Sequence, residues 1–376
     1  MERLRTNFTR VLMIFVVLGI ASFMVSCNQS ANKQKQEEKT PSLTATPGQT
    51  AQNNTQGTPS TQAAATTQQP QSSPASAPGQ KLDHPMVLDH KLGNSPVNAN
   101  SKMINAIANK PSASPGPTMA MNMPPEQKRA FELLASGTKK SEAGDQDAAI
   151  ADFTESLNTF KMPFAYLKRG FAELVKEDYT SALNDFNESI KMNPTLERAF
   201  FGRGVCRFES KDFAGAEEDM LKFTQRDKMT PMAYNYLGGC RFMKQDYKGA
   251  LENYDMVAKL DPKFPDIYTN RGMMKHYLND LKGAVEDYNK ALELDPKNAT
   301  AYNNRGGAKL NQGNSQGALE DFDKAITLKT DYADAFDNRG KAKINLKDPV
   351  GACEDFRRAY SLGLEASKAM IDKYCR

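Results

Sequence analysis

The chain has 376 residues and a formal charge of +4, with 20 prolines, 24 glycines and no tryptophan. Thirteen of the prolines lie between Asn28 and Pro125, a stretch without Phe or Tyr, which excludes a packed core there. From Glu126 onward 39 basic residues face 40 acidic ones, so the overall basicity gives no argument for a nucleic-acid partner.

Arg3, Arg5 and Arg10 precede an apolar or small run from Val11 to Val25. At 1.5 Å rise per residue, about 15 residues are too short to span a bilayer core of about 30 Å, and the pattern reads as a signal peptide over residues 1–26. The end of the run, Met24, Val25, Ser26 and Cys27, resembles the bacterial lipoprotein signal. That resemblance implies lipidation of Cys27 and a membrane anchor in the cell envelope. Asn28, standing where an Asp would mark retention at the inner membrane, favours the outer membrane. Residues 27–125, rich in Gln, Ser, Thr and Pro, then read as the lipidated Cys followed by a disordered tether, interrupted by a mildly apolar Met103 to Ala108. His84 and His90 with Met119, Met121 and Met123 offer soft ligands, and a copper-handling lipoprotein is one alternative reading.

Beyond the tether the chain repeats itself. Gly170, Gly204, Gly238, Gly272, Gly306 and Gly340 recur every 34 residues. Ala182, Ala216, Ala250, Ala284, Ala318 and Ala352 follow in register, and Phe186, Met220, Tyr254, Tyr288, Phe322 and Phe356 come four residues later. Gly137, Ala149 and Phe153 mark an earlier unit that is one residue short. Small residues let two antiparallel helices approach, and a large ring fills the space between them. Asp145, Asp178, Asp212, Asp246, Asp280, Asn314 and Asp348 stand where a short side chain caps the second helix of each unit.

The pattern resembles the tetratricopeptide repeat family from Ala130 to Ala366. The resemblance implies an all-α, right-handed α-solenoid of seven helix-turn-helix units plus a C-terminal capping helix over about 365–375. The units are 130–162, 163–196, 197–230, 231–264, 265–298, 299–332 and 333–366, within a repeat domain 126–376. The family's concave positions fall on Phe164, Leu167, Phe171, Phe201, Val205, Asn235, Asn270, Asn303, Asn304 and Asn338. They imply a trough for an extended peptide or a partner's helix, apolar at one end and amide-rich at the other. Alternatively, residues 82–125 fold back over the aromatic end.

Where the family has Leu before the Gly, this chain has Arg169, Arg203, Arg271, Arg305 and Arg339. The same units carry Asp185, Asp219, Asp287, Asp321 and Asp355, so each Arg is expected to pair with the Asp of its own unit, with Asp152 as a misfit. An Arg row binding an anionic ligand is the functional alternative. Cys206 and Cys240 read as free buried thiols, whereas Cys353 and Cys375 flank a turn and form a disulfide or remain two thiols at the chain end. No nucleophile, metal or phosphate-loop constellation stands out, so neither catalysis nor a cofactor is expected. The reading is a lipid-anchored, non-enzymatic scaffold for another protein or peptide; a self-assembling structural solenoid is a further alternative.

Overall fold

The computed structural model describes residues 101–110, 123–264 and 266–375. All of them belong to one compact unit, Pro74–Arg376. The signal segment, Cys27, most of the tether, His84, His90, Met119 and Met121 lie outside the described residues.

The described residues form helices and no strands. A helix inside the expected tether, α1 (Ser101–Asn109), comes first. Seven helix pairs follow: α2 (Pro125–Glu142) with α3 (Gln146–Thr159), α4 (Pro163–Val175) with α5 (Tyr179–Met192), α6 (Glu197–Glu209) with α7 (Phe213–Thr224), and α8 (Pro231–Met243) with α9 (Tyr247–Leu260). The last three pairs are α10 (Ile267–Tyr277) with α11 (Leu281–Leu294), α12 (Ala299–Asn311) with α13 (Ser315–Leu328), and α14 (Ala333–Asn345) with α15 (Pro349–Ser361). A final helix, α16 (Ser367–Tyr374), packs on α15. From α2 onward each helix packs against its neighbours in the chain, which is the arrangement of a helical-hairpin solenoid. No helix among the described residues is long and apolar enough to cross a membrane.

Local chemistry sets each hairpin turn. The Asp or Asn before every second helix accepts a hydrogen bond from the backbone N–H three residues on, as Asp246 does from Gly249 at 2.9 Å and Asn314 from Gly317 at 2.9 Å. The residue before the cap reverses the chain in the left-handed region: Gly144 and Gly313 in two units, but Glu177, Lys211, Gln245, Asn279 and Lys347 in the others. At the C-terminus a disulfide joins Cys353 to Cys375 and ties α16 to α15, while Cys206 and Cys240 are free and buried.

Contact between the paired helices centres on one ring in six of the seven hairpins, and on Met220 in the third. Phe322 is fully buried against Gly306, where a Cβ would come within 2.7 Å of Phe322 Cε1. Phe186 shows why the units must stack, because its ring lies against Gly170 of its own unit and Gly202 of the next. A Cβ on Gly202 would come within 2.2 Å of Phe186 Cζ. One side chain thus fills two interfaces, and a lone hairpin would leave half of that surface wet.

Gly306→Ala therefore overpacks the interface, and a net loss of about 1–3 kcal/mol is expected despite the better helix propensity of Ala. Phe322→Leu should recover part of that loss in the double variant, measured by urea unfolding; additive effects would place the clash elsewhere.

Candidate functional site

The expected binding residues sit on the first helices, and the structure divides them into two groups. At the apolar end, Leu167, Phe171, Phe201 and Val205 are buried, with Phe164 half-buried beside them. Phe171 packs on Phe186, and Phe201 on Phe223 and Tyr236, while α1 lies on α4 and joins the same apolar cluster. Ile104 and Ala108 are 0% and 3% exposed within this cluster, and Met103 and Ile107 pack at its edge. The tether reading thus fails over Ser101–Asn109, because a stripe at i, i+1, i+4 and i+5 gives these residues an apolar face with somewhere to go.

Polar contacts fix where α1 ends. The Arg198 guanidinium donates to the carbonyls of Ala108 at 3.0 Å and Lys110 at 2.6 Å, placing a cation on the negative end of the helix. Lys168 donates to Asn109 Oδ1, and Lys110 pairs with Asp227 at 2.5 Å. Burial, with Arg198 nearby, pulls the Lys168 ammonium down to about 8.

At the other end the amides bond to one another. Asn338 donates to Asn303 at 3.0 Å, Asn303 donates to Asn304 at 3.2 Å, and all three are fully buried. They join α14 to α12 and are not displayed to a ligand. Lys341 and Asp337 form a buried pair at 2.8 Å, with Ser367 donating to Asp337 at 2.6 Å. Asn270 is also buried, whereas Asn235 is half-buried and its Oδ1 has no partner. Thr269 Oγ1 and His276 Nδ1 are likewise buried without partners. The Asn311 amide lies 2.8 Å from His276 Nε2, and burial lowers this imidazole to about 4, so it is neutral near pH 7.

The arginine row forms a seam between helices. Arg169, Arg203, Arg271, Arg305 and Arg339 each hold the Asp of their own unit through Nε and Nη2, at 2.5–2.9 Å. Nη1 of each reaches back to the preceding unit, to Thr154, Asn187, Asp255, Asn289 and Asp323 respectively. Each guanidinium also covers an aromatic ring three residues earlier, with centroid distances of 5.3–5.9 Å.

Sequence reasoning missed a second cation at each Asp. Arg207, Lys275, Lys309 and Lys343 stand three residues after the Gly and reach Asp219, Asp287, Asp321 and Asp355 at 2.8 Å. They recur every 34 residues, so the same count would have found them. Lys140 holds that place in the first unit and meets the misfit Asp152 at 2.7 Å. In the fourth unit, where Asn253 replaces the Asp, Arg241 turns to Glu217 of the preceding unit at 3.1 Å.

Three family models match the chain: two described as tetratricopeptide repeat, over residues 167–228 and 299–332, and one described as TPR repeat, over 272–313. The chain is a tetratricopeptide-repeat protein. No curated protein matches its sequence. Among solved structures, the APC/C hetero-tetramer Cut9–Hcn1 gives a TM-score of 0.51 at 16% identity, over 66% of this chain and 53% of that one. A tetratricopeptide repeat protein from Parabacteroides merdae gives 0.49 at 17% identity, over 66% of this chain and all of its own. YrrB, described as a TPR protein with an unusual peptide-binding site, gives 0.45 at 21% identity, over 49% of this chain and 95% of its own. At 16% identity the likeness to Cut9–Hcn1 shows the fold alone, and tetratricopeptide-repeat folds are generally scaffolds for protein–protein interaction.

Glu173 breaks the cation row of this tetratricopeptide-repeat domain. Burial and the adjacent Asp185 raise its carboxyl to about 8, and its Oε2 has no partner. A folded value above the unfolded one means a contribution that is full at acid pH and lost as pH rises toward 8. Glu173→Lys should place an ammonium beside Asp185 as in later units, stabilising the fold by about 1 kcal/mol near pH 8 after solvent screening. Thermal melts from pH 5 to 9 should show the gain growing with pH; a pH-independent difference would refute this assignment.

Proposed function

We propose that this protein is a lipid-anchored interaction scaffold of the bacterial envelope that receives a helix of a partner protein in the trough of its first helices. One observation carries the reading: the apolar end of the trough holds a helix, α1, by side-chain burial and by Arg198 on its terminal carbonyls. A surface that accommodates one amphipathic helix has the width and chemistry for another. Past the end of α1, the half-buried Asn235 extends the proposed surface along the first helices toward a longer partner segment. The anchor rests on Arg3, Arg5 and Arg10, the short apolar run and Cys27. The stretch between Cys27 and the repeats would give the domain reach from the membrane surface.

In cells, a photo-crosslinking residue at Phe164 or Asn235 should trap a partner protein, and one at Lys290, exposed on α11, should trap little. Equal trapping at all three positions would remove the trough from the reading. Cys27→Ala should shift the protein from the membrane to the soluble fraction, and unchanged partitioning would remove the anchor.

A further inference from the structure

We infer that α1 is a resident ligand of the trough, which a partner displaces with a helix of the same chemistry. This rests on the scaffold reading above and adds what the partner's helix must present.

The position of α1 separates it from an end cover. At the C-terminus α16 stacks on the last hairpin and is tied to it by the disulfide. By contrast, α1 packs on α4 of the second unit and ends at Arg198 of the third. Its face is limited: Ile104 and Ala108 enter the cluster, while Met103 and Ile107 remain at the edge. At nine residues it falls below the roughly 12–15 residues at which isolated helices become marginal, so it is helical only while docked. Residues 110–124 connect it to α2, and a short connection keeps it at an effective concentration on the order of millimolar near its site. A free helix at micromolar concentration is therefore excluded until it binds better or α1 is weakened.

Departure of α1 would uncover the part of the apolar cluster on which Ile104 and Ala108 lie and strip the buried Arg198 of both carbonyl acceptors. Replacement by another helix is favoured over an empty trough. The fitting partner is an amphipathic helix with Met, Ile or Ala at i, i+1, i+4 and i+5. Its last carbonyls reach Arg198, and a cation follows for Asp227.

The test uses a fluorescein-labelled peptide of residues 99–112 and the solubilised full chain, followed by anisotropy. Wild type should bind it weakly. Ile104→Asp, which lies outside the repeats and should lower their melting temperature while leaving a single cooperative transition, should bind it at least about tenfold more tightly because the resident helix is gone. Adding Arg198→Ala to that variant should weaken binding again. Equal affinity for wild type and Ile104→Asp, or no binding to Ile104→Asp, overturns the inference. Peptide exchange without trapped partners in cells would sink the scaffold reading alone, whereas trapped partners with equal peptide affinities would sink the resident ligand alone.

Discussion

Everything in the repeat domain depends on one steric constraint, a large ring laid on bare helix backbone. Phe153, Tyr288, Phe322 and Phe356 each lie where a Cβ on the facing glycine would come within 2.6–2.8 Å of the ring. Such contact sets the separation of the two helices of a hairpin and leaves the outer side of the ring for the next unit. Stability therefore passes from neighbour to neighbour, and the chain must end in something other than another hairpin. Here that end is α16, held by Met370 against Phe356 and by the disulfide.

Charge reinforces the same contacts. Each buried Asp sits between an arginine and, in most units, a second cation, and the arginine's remaining edge reaches the preceding hairpin. Removing water from these groups would be unfavourable for any one of them alone, and the bidentate geometry with a third acceptor is what offsets it. The row is thereby committed to the seam, and the proposed recognition face is that of the first helices. On that face the amides are consumed in holding α12 to α14, and the apolar end is consumed by α1.

On the proposed reading, the trough belongs to a scaffold that carries its own occupant. Its apolar residues avoid water without needing a partner, which answers how such a face persists. An occupant attached through the same chain also sets a threshold, since any other helix competes with a neighbour that never diffuses away.

Repeat number, helix pairing, turn caps and the Arg–Asp pairs were legible in the sequence, because each rests on contacts within one unit that recur every 34 residues. The second cations were equally legible in principle, at the same period. Two features were decided only by the tertiary structure. The rotation of each first helix about its axis turned Asn303, Asn304 and Asn338 inward, a matter of a few tens of degrees that periodicity does not specify. The destination of α1 depends on contacts between residues about a hundred positions apart in the chain, such as Ile104 with the Phe201 cluster. A single nine-residue stripe has no period to announce its partner, so its place follows only once stacked hairpins have built the trough that receives it.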